Sequence, residues 1–134
     1  MKTRTDDHRT RAFSGVVWEG RVGYCRALRT GSLVFVTGTA PVAADGTVHA
    51  PGDPEAQARR CLDIIEEALA AVGASLSDVV RTRMFVTDIS RWEDYGRAHG
   101  DRFREHPPCT TMVEVKGLIE PEMMIEIEAD AVVG

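Results

Sequence analysis

The stretch Asp53–Gly73, DPEAQARRCLDIIEEALAAVG, decides what kind of fold this chain can adopt. Asp53 is a helix-capping residue, and Pro54 suits the first helical position, where its missing N–H costs nothing. Beyond them Ala58, Cys61, Leu62, Ile65, Ala68, Leu69 and Val72 recur at helical spacing, while Arg59, Arg60, Asp63, Glu66 and Glu67 fall mostly elsewhere. Gly73 ends the run. A helix with one apolar face must be covered by a sheet or by another helix.

Both flanks supply strands. Upstream, Leu33–Gly38 is a continuous β-branched and aromatic run, predicted to be a buried strand. Gly38 at its end marks a bend or a close approach to the backbone, and Thr37-Gly38-Thr39 offers hydroxyls and N–H groups to a ligand. Before it, Val16–Trp18 and Val22–Leu28 read as two short strands around Glu19-Gly20-Arg21. Downstream, Val79–Val86 alternates, with Val79, Arg81, Arg83 and Phe85 on one face and Val80, Thr82, Met84 and Val86 on the other. Ser90 and Glu93 form a capping box for a second helix carrying Trp92, Tyr95, Ala98, His99, Arg102 and Phe103 on one face. Pro107-Pro108 stops it. Thr111–Val115 and Met123–Val133 complete the set.

The last strand places Met123, Ile125, Ile127, Ala129 and Ala131 on one side and Met124, Glu126, Glu128 and Asp130 on the other. Three acids at period two repel one another unless solvent, cations or donors meet them. They form either a solvated sheet face, with Arg81 and Arg83 as pairing partners, or a face on which one acid lines a polar pocket. The element order predicts an α+β domain with a mixed β-sheet and two helices on one face. The opposite sheet face is left uncovered, with room for self-association.

Composition narrows the function classes. A chain of 134 residues with 43% hydrophobic, 28% charged and 6% aromatic residues fits one domain with an aliphatic core. Residues 1–14 lack periodicity and are expected to be a flexible N-terminal leader, followed by a single domain at 15–134. Residues 1–11 carry Lys2, Arg4, Arg9 and Arg11 against Asp6 and Asp7, a local +2, which leaves −7 of the net −5 chain on the remaining body. An acidic body disfavours nucleic-acid backbones as partners. No secretory or bilayer-length apolar run is present, so no membrane association and a cytoplasmic location are expected. Cys25, Cys61 and Cys109 lack a CxxC spacing, and His8, His49, His99 and His106 are scattered. Neither a metal site nor a cofactor is expected.

Read together, certain segments resemble the YjgF/RidA (Rid) family, formerly labelled endoribonuclease L-PSP. They are Gly23-Tyr24, Val36–Pro41, Asp53 with Ala56–Arg59, Ala71–Ala74 and Leu76, Asp78–Asp88, Glu114-Val115 and Ile125–Ala129. The resemblance spans roughly residues 16–133. It implies a chorismate-mutase-like fold, a homotrimer joined through the sheet face, and small-molecule ligands bound in clefts between subunits. Tyr24, Thr37, Gly38 and Glu126 fall on family pocket positions. The activity implied is hydrolysis of 2-aminoacrylate-type enamines and imines, with Glu126 as the catalytic residue that positions or activates water.

One departure limits the carry-over. The family's carboxylate-binding arginine stands two residues after its proline, and here that place, after Pro108, is Thr110. Threonine cannot make arginine's charged, bidentate contact. Arg26, next but one to Tyr24, is the replacement cation considered. The expected activity is thus an imine or enamine deaminase-like hydrolase whose substrate is not a classical 2-imino acid. The alternative is a non-catalytic ligand-binding or regulatory trimer.

Overall fold

A computed structural model describes residues 1–134. Its elements are β1 (Lys2–Asp6), β2 (Arg9–Phe13), α1 (Val17–Val22), β3 (Ala27–Thr30), β4 (Leu33–Thr39), α2 (Pro54–Ala71), β5 (Val79–Val86), α3 (Trp92–Phe103), β6 (Cys109–Glu114) and β7 (Ile125–Val132). The seven strands form one sheet in the order β1-β2-β3-β4-β7-β5-β6. Neighbours are antiparallel except β5 and β6, which are parallel. The two long helices lie together over one face, α2 across β4 and β7. This is the α+β arrangement anticipated from the sequence.

Helix α2 forms as its sequence requires. The Asp53 side chain accepts from the Ala56 N–H at 3.0 Å, with Pro54 opening the helix. Leu62, Ile65 and Leu69 are fully buried against Val34, Ile125 and Ile127. Each such side chain contributes about 1.5–3 kcal/mol by leaving water. The opposite sheet face has no helix, and Leu33, Phe35 and Val132 there are each over 40% exposed.

Four local expectations are corrected. Residues 1–14 are not a flexible leader: β1 and β2 form a hairpin that extends the sheet through β3. Asp7 and His8 have φ of 48° and 67°, as a two-residue type I′ connection demands. The hairpin buries only Ala12 fully and is held by backbone pairing, so it leaves no apolar periodicity to read. Second, Val17–Val22 is a helix ending in the left-handed Gly23 (φ 87°), not part of two strands. Third, Asp88, not Ser90, caps the helical turn that leads into α3, accepting from the Ser90 N–H at 3.0 Å. Fourth, Val79 lies in the core while Val80 is exposed, because Val80 is an extra residue between the pairs Val79↔Ala131 and Arg81↔Asp130.

A second bulge has more bearing on chemistry. Val36 pairs with Ala129 and Thr39 with Ile127, so Thr37 and Gly38 together oppose the single residue Glu128. The extra residue swings Gly38 towards the start of β7, where Glu126 emerges.

Candidate functional site

Glu126 leaves β7 on the face away from the helices and lies against the backbone of β4. A Cβ built on Gly38 would stand 2.7 Å from its Oε2, so only glycine leaves this carboxylate its place. Across the sheet its partner on β5 is Phe85, which offers no hydrogen bond. No protein group donates to the carboxylate. Burial raises its pKa from the ordinary 4.5, a rise that the positive Arg26 opposes and the negative Glu128 assists.

Arg26 is positioned by the chain on both sides. Its N–H donates to the Ala12 carbonyl at 2.8 Å, and its own carbonyl accepts from Thr37 at 3.0 Å. Nη1 donates to the Gly38 carbonyl at 3.0 Å and to Thr39 Oγ1 at 3.3 Å. Nε lies 3.5 Å from Glu19 Oε2 and has no hydrogen-bond partner, although the side chain is nearly buried. The guanidinium also sits over the Tyr24 ring, 5.5 Å from its centroid. Glu19 is only 5% exposed and holds the Ser14–Gly15 turn through N–H donors from both residues and the Ser14 hydroxyl. Arg26 is thus a buried cation with a buried counter-ion, and its Nη2 is the end of the fork that no protein atom takes.

These groups converge on a cavity of about 400 Å³. Tyr24, Arg26, Gly38 and Glu126 all line it, so four of the six residues singled out in the sequence are brought together. Thr37 is not in the lining: its hydroxyl donates to the Cys25 carbonyl at 2.7 Å and ties β4 to the segment carrying Tyr24 and Arg26. Thr110 is elsewhere. It lies on β6, two strands beyond β7, where its hydroxyl accepts from Thr82 at 2.7 Å. Thr82 in turn contacts His99 Nε2 at 2.8 Å, and burial lowers the pKa of that imidazole. Sequence reasoning missed the apolar walls, Trp18 and Val22 from α1 with Ile64 and Ile119, and also Arg60, whose Nε donates to the Val42 carbonyl at 2.7 Å. Helical spacing had marked Arg60 as lying off the core face of α2, but nothing showed that the 40–44 segment would fold over it.

Cys61 is fully buried behind β7, with its thiol 3.9 Å from the Ile125 carbonyl. Burial, helped by the charge of Glu126, pushes its pKa far up, so it is inert as a nucleophile. No grouping of three or more His, Cys, Asp or Glu side chains suited to a metal ion is found. No helix is long and apolar enough to cross a membrane.

The chain is thus an α+β sheet domain with one acid held against a glycine bulge, beside a buried arginine and a partly apolar cavity. The chain belongs to the endoribonuclease L-PSP family, whose model matches residues 18–133. Among solved structures it is similar to Rv2704 of Mycobacterium tuberculosis, a member of the YjgF/YER057c/UK114 family. The two are 50% identical with a TM-score of 0.85, over 93% of this chain and 99% of that one. It is also similar to E. coli TdcF, solved with bound serine: 29% identical, TM-score 0.78, over 92% and 94% of the two chains. Among curated relatives, the 3-aminoacrylate deaminase RutC of Acinetobacter baylyi is 34% identical over 111 residues, 81% of this chain and 85% of that protein.

Proposed function

We propose that the protein is a deaminase-like hydrolase of small imines or enamines. The observation that carries this is Glu126, an acid without a hydrogen-bond partner, raised in pKa by burial and placed at the wall of a ligand-sized cavity. Such an acid binds a proton more firmly than an ordinary solvated carboxylate, which makes it a stronger base toward water. The relative RutC acts on 3-aminoacrylate by its name, which supports the same reaction class here.

The reaction asks little of the protein, because an iminium carbon is already electrophilic. Glu126 takes a proton from water as the water oxygen bonds to that carbon. Glu126 passes that proton to the nitrogen, then takes the proton of the new hydroxyl as the C–N bond breaks. A neutral carbonyl compound and ammonia leave, and the last proton goes on to ammonia or solvent. Tyr24 and the Gly38 backbone hold the ligand, and Arg26 Nη2 offers a donor to a polar substituent on it. Within one subunit Thr110 is out of reach of the cavity, so a site that uses it draws it from a second copy. This agrees with a homotrimer joined through the exposed Leu33, Phe35 and Val132 face, with clefts between subunits. With threonine at that place and Arg26 already neutralised by Glu19, a substrate other than a classical 2-imino acid is favoured.

The test supplies imines in situ from an amine oxidase or an amino-acid oxidase and follows their loss. The protein is expected to accelerate hydrolysis, and Glu126→Gln to abolish the acceleration. A Gln variant with full rate would remove Glu126 from the chemistry. Threonine in place of a carboxylate-binding arginine, with its oxygen held on β6 by the Thr82 hydroxyl, favours one second reading, a ligand-binding or regulatory trimer, which absence of acceleration on every imine would support.

A further inference from the structure

We infer that the cavity takes an imine or enamine carrying a bulky apolar substituent, rather than a three-carbon one. This rests on the hydrolase reading above but is argued from the walls of the site, not from its acid.

The cavity volume of about 400 Å³ corresponds to roughly a dozen waters at ~30 Å³ each. It lies within the range of roughly 300–1,000 Å³ found for sites that hold drug-sized ligands. Its polar groups are not spread evenly. Tyr24, Arg26, Gly38 and Glu126 touch or adjoin one another, so the C=N head has one place to sit. Arg60 and Glu67 of α2 and the Met1 ammonium are the other charged lining groups; Arg60 is engaged on the Val42 carbonyl, and the Met1 nitrogen lies 3.8 Å from Glu67 Oε1.

The remaining wall is mainly apolar, formed by Trp18 and Val22 from α1, Val42, Ile64 and Ile119, and its two hydroxyls are engaged, Ser14 on Glu19 and Thr39 on the Thr37 carbonyl. Small side chains at Ala40, Ala43 and Ala44 leave the space between them open. Water there finds few partners, so an apolar group that displaces it gains free energy. The wall is also held in place. Arg60 pins Val42, and Val42 pairs with Val48, so the 40–48 segment is braced at both ends against collapse. Val22 and Ile119 are 70% and 62% exposed at the rim, where an apolar tail would cover them.

Binding and turnover test this separately. The full-length protein is titrated with acetone, 2-pentanone and 2-octanone, stable carbonyl mimics of the product. The indole N–H signal of Trp18 is followed by NMR in a Trp92→Phe background. Affinity should tighten roughly fourfold per added methylene until the cavity is full. Ala43→Phe, which fills the apolar wall, should lower the ratio of 2-octanone affinity to acetone affinity at least tenfold. Ala44→Phe, at an exposed position, serves the same purpose should the first variant misfold. In parallel, an amine oxidase supplies imines from ethylamine and octylamine, and the octyl imine should be hydrolysed with at least tenfold higher kcat/KM. Equal affinity along the ketone series, or equal efficiency on both imines, overturns the inference. Tight 2-octanone binding with neither imine hydrolysed leaves the inference standing and overturns the hydrolase reading instead.

Discussion

Glu126 and Glu128 leave the same strand on the same face, two residues apart, and end in opposite circumstances. On β5, Glu128 stands opposite Arg83 and Glu126 opposite Phe85. Arg83 Nη1 reaches Glu128 and Asp130, both at 3.2 Å, so two of the three acids are paired at a half-exposed surface. Glu126 receives no donor, loses solvent and rises in pKa. An alternating acidic face therefore splits according to what the neighbouring strand presents at each register step. Structural pairing holds at one end of β7, and an unpaired, partly buried acid sits at the other. The β4 bulge completes the contrast, because it brings a residue without a side chain up against the unpaired member.

The contrast can be broken most severely at Arg26, the cation that tempers Glu126. Arg26→Met leaves Glu19 buried without its counter-charge, and uncompensated buried charges cost about 3–5 kcal/mol. Urea denaturation should show a loss of that size, and the Glu126 carboxyl should titrate still higher once the positive charge is gone. A loss below about 1 kcal/mol would mean that Glu19 is satisfied by Ser14 and Gly15 alone. Next in size is the direct comparison of the two acids. Glu126→Gln should reduce imine hydrolysis at least ~100-fold, the lower bound for removing a positioned general base. Glu128→Gln should change the rate less than about twofold and stability by no more than about 1 kcal/mol, as for other partly exposed pairs. Equal rate losses would erase the distinction drawn from the register.

Gly38→Ala is a finer probe of the same carboxylate. Its Cβ would displace the far end of a flexible side chain rather than backbone, so the fold should lose little. The carboxylate must move by a few tenths of an ångström or more, and a rate loss of about tenfold, roughly 1.4 kcal/mol, is expected at nearly unchanged melting temperature. A variant that loses stability but not rate would show that Gly38 serves the bulge and not the acid.

These differences were unequally legible in the sequence. Helix α2 and the two faces of β7 could be read because their periodicity records burial, and Asp53, Pro54 and Ile125–Ala131 occupy the places their pattern demands. The Arg83 pairing was readable too, since facing strands with opposite charges have few other solutions. Bulges escape such reading. The extra residue at Val80 inverts the expected faces only at the start of β5, and the one at Thr37–Gly38 appears merely as a glycine in a strand. The β1–β2 hairpin was invisible because β1 is exposed along its whole length and is held by backbone hydrogen bonds, which any sequence can make. Thr110 marks another limit. The family resemblance implies a place for it at the site, whereas within the subunit strand order puts it two strands from β7, and no local pattern encodes strand order.

The smallest effect tests whether Glu126 is poised at all, and it needs no substrate. Burial raises its folded pKa above the ordinary 4.5, so the folded protein holds this proton over a pH range in which the unfolded chain has released it. Its contribution to stability is whole at pH below the ordinary carboxylate range. It is lost as pH rises to and through the folded pKa, and above that it stays lost. Glutamine at 126 titrates nothing. The stability of Glu126→Gln minus that of the parent should therefore grow from pH 3 upward and level off above the folded pKa. The rate limb assigned to Glu126 as a base should rise over that same upper range, since only the carboxylate accepts a proton. A stability difference flat from pH 3 to pH 7 would mean that the carboxyl ionises as freely folded as unfolded. Glu126 would then be as ordinary as any solvated acid, and the asymmetry along β7 would be one of pairing alone.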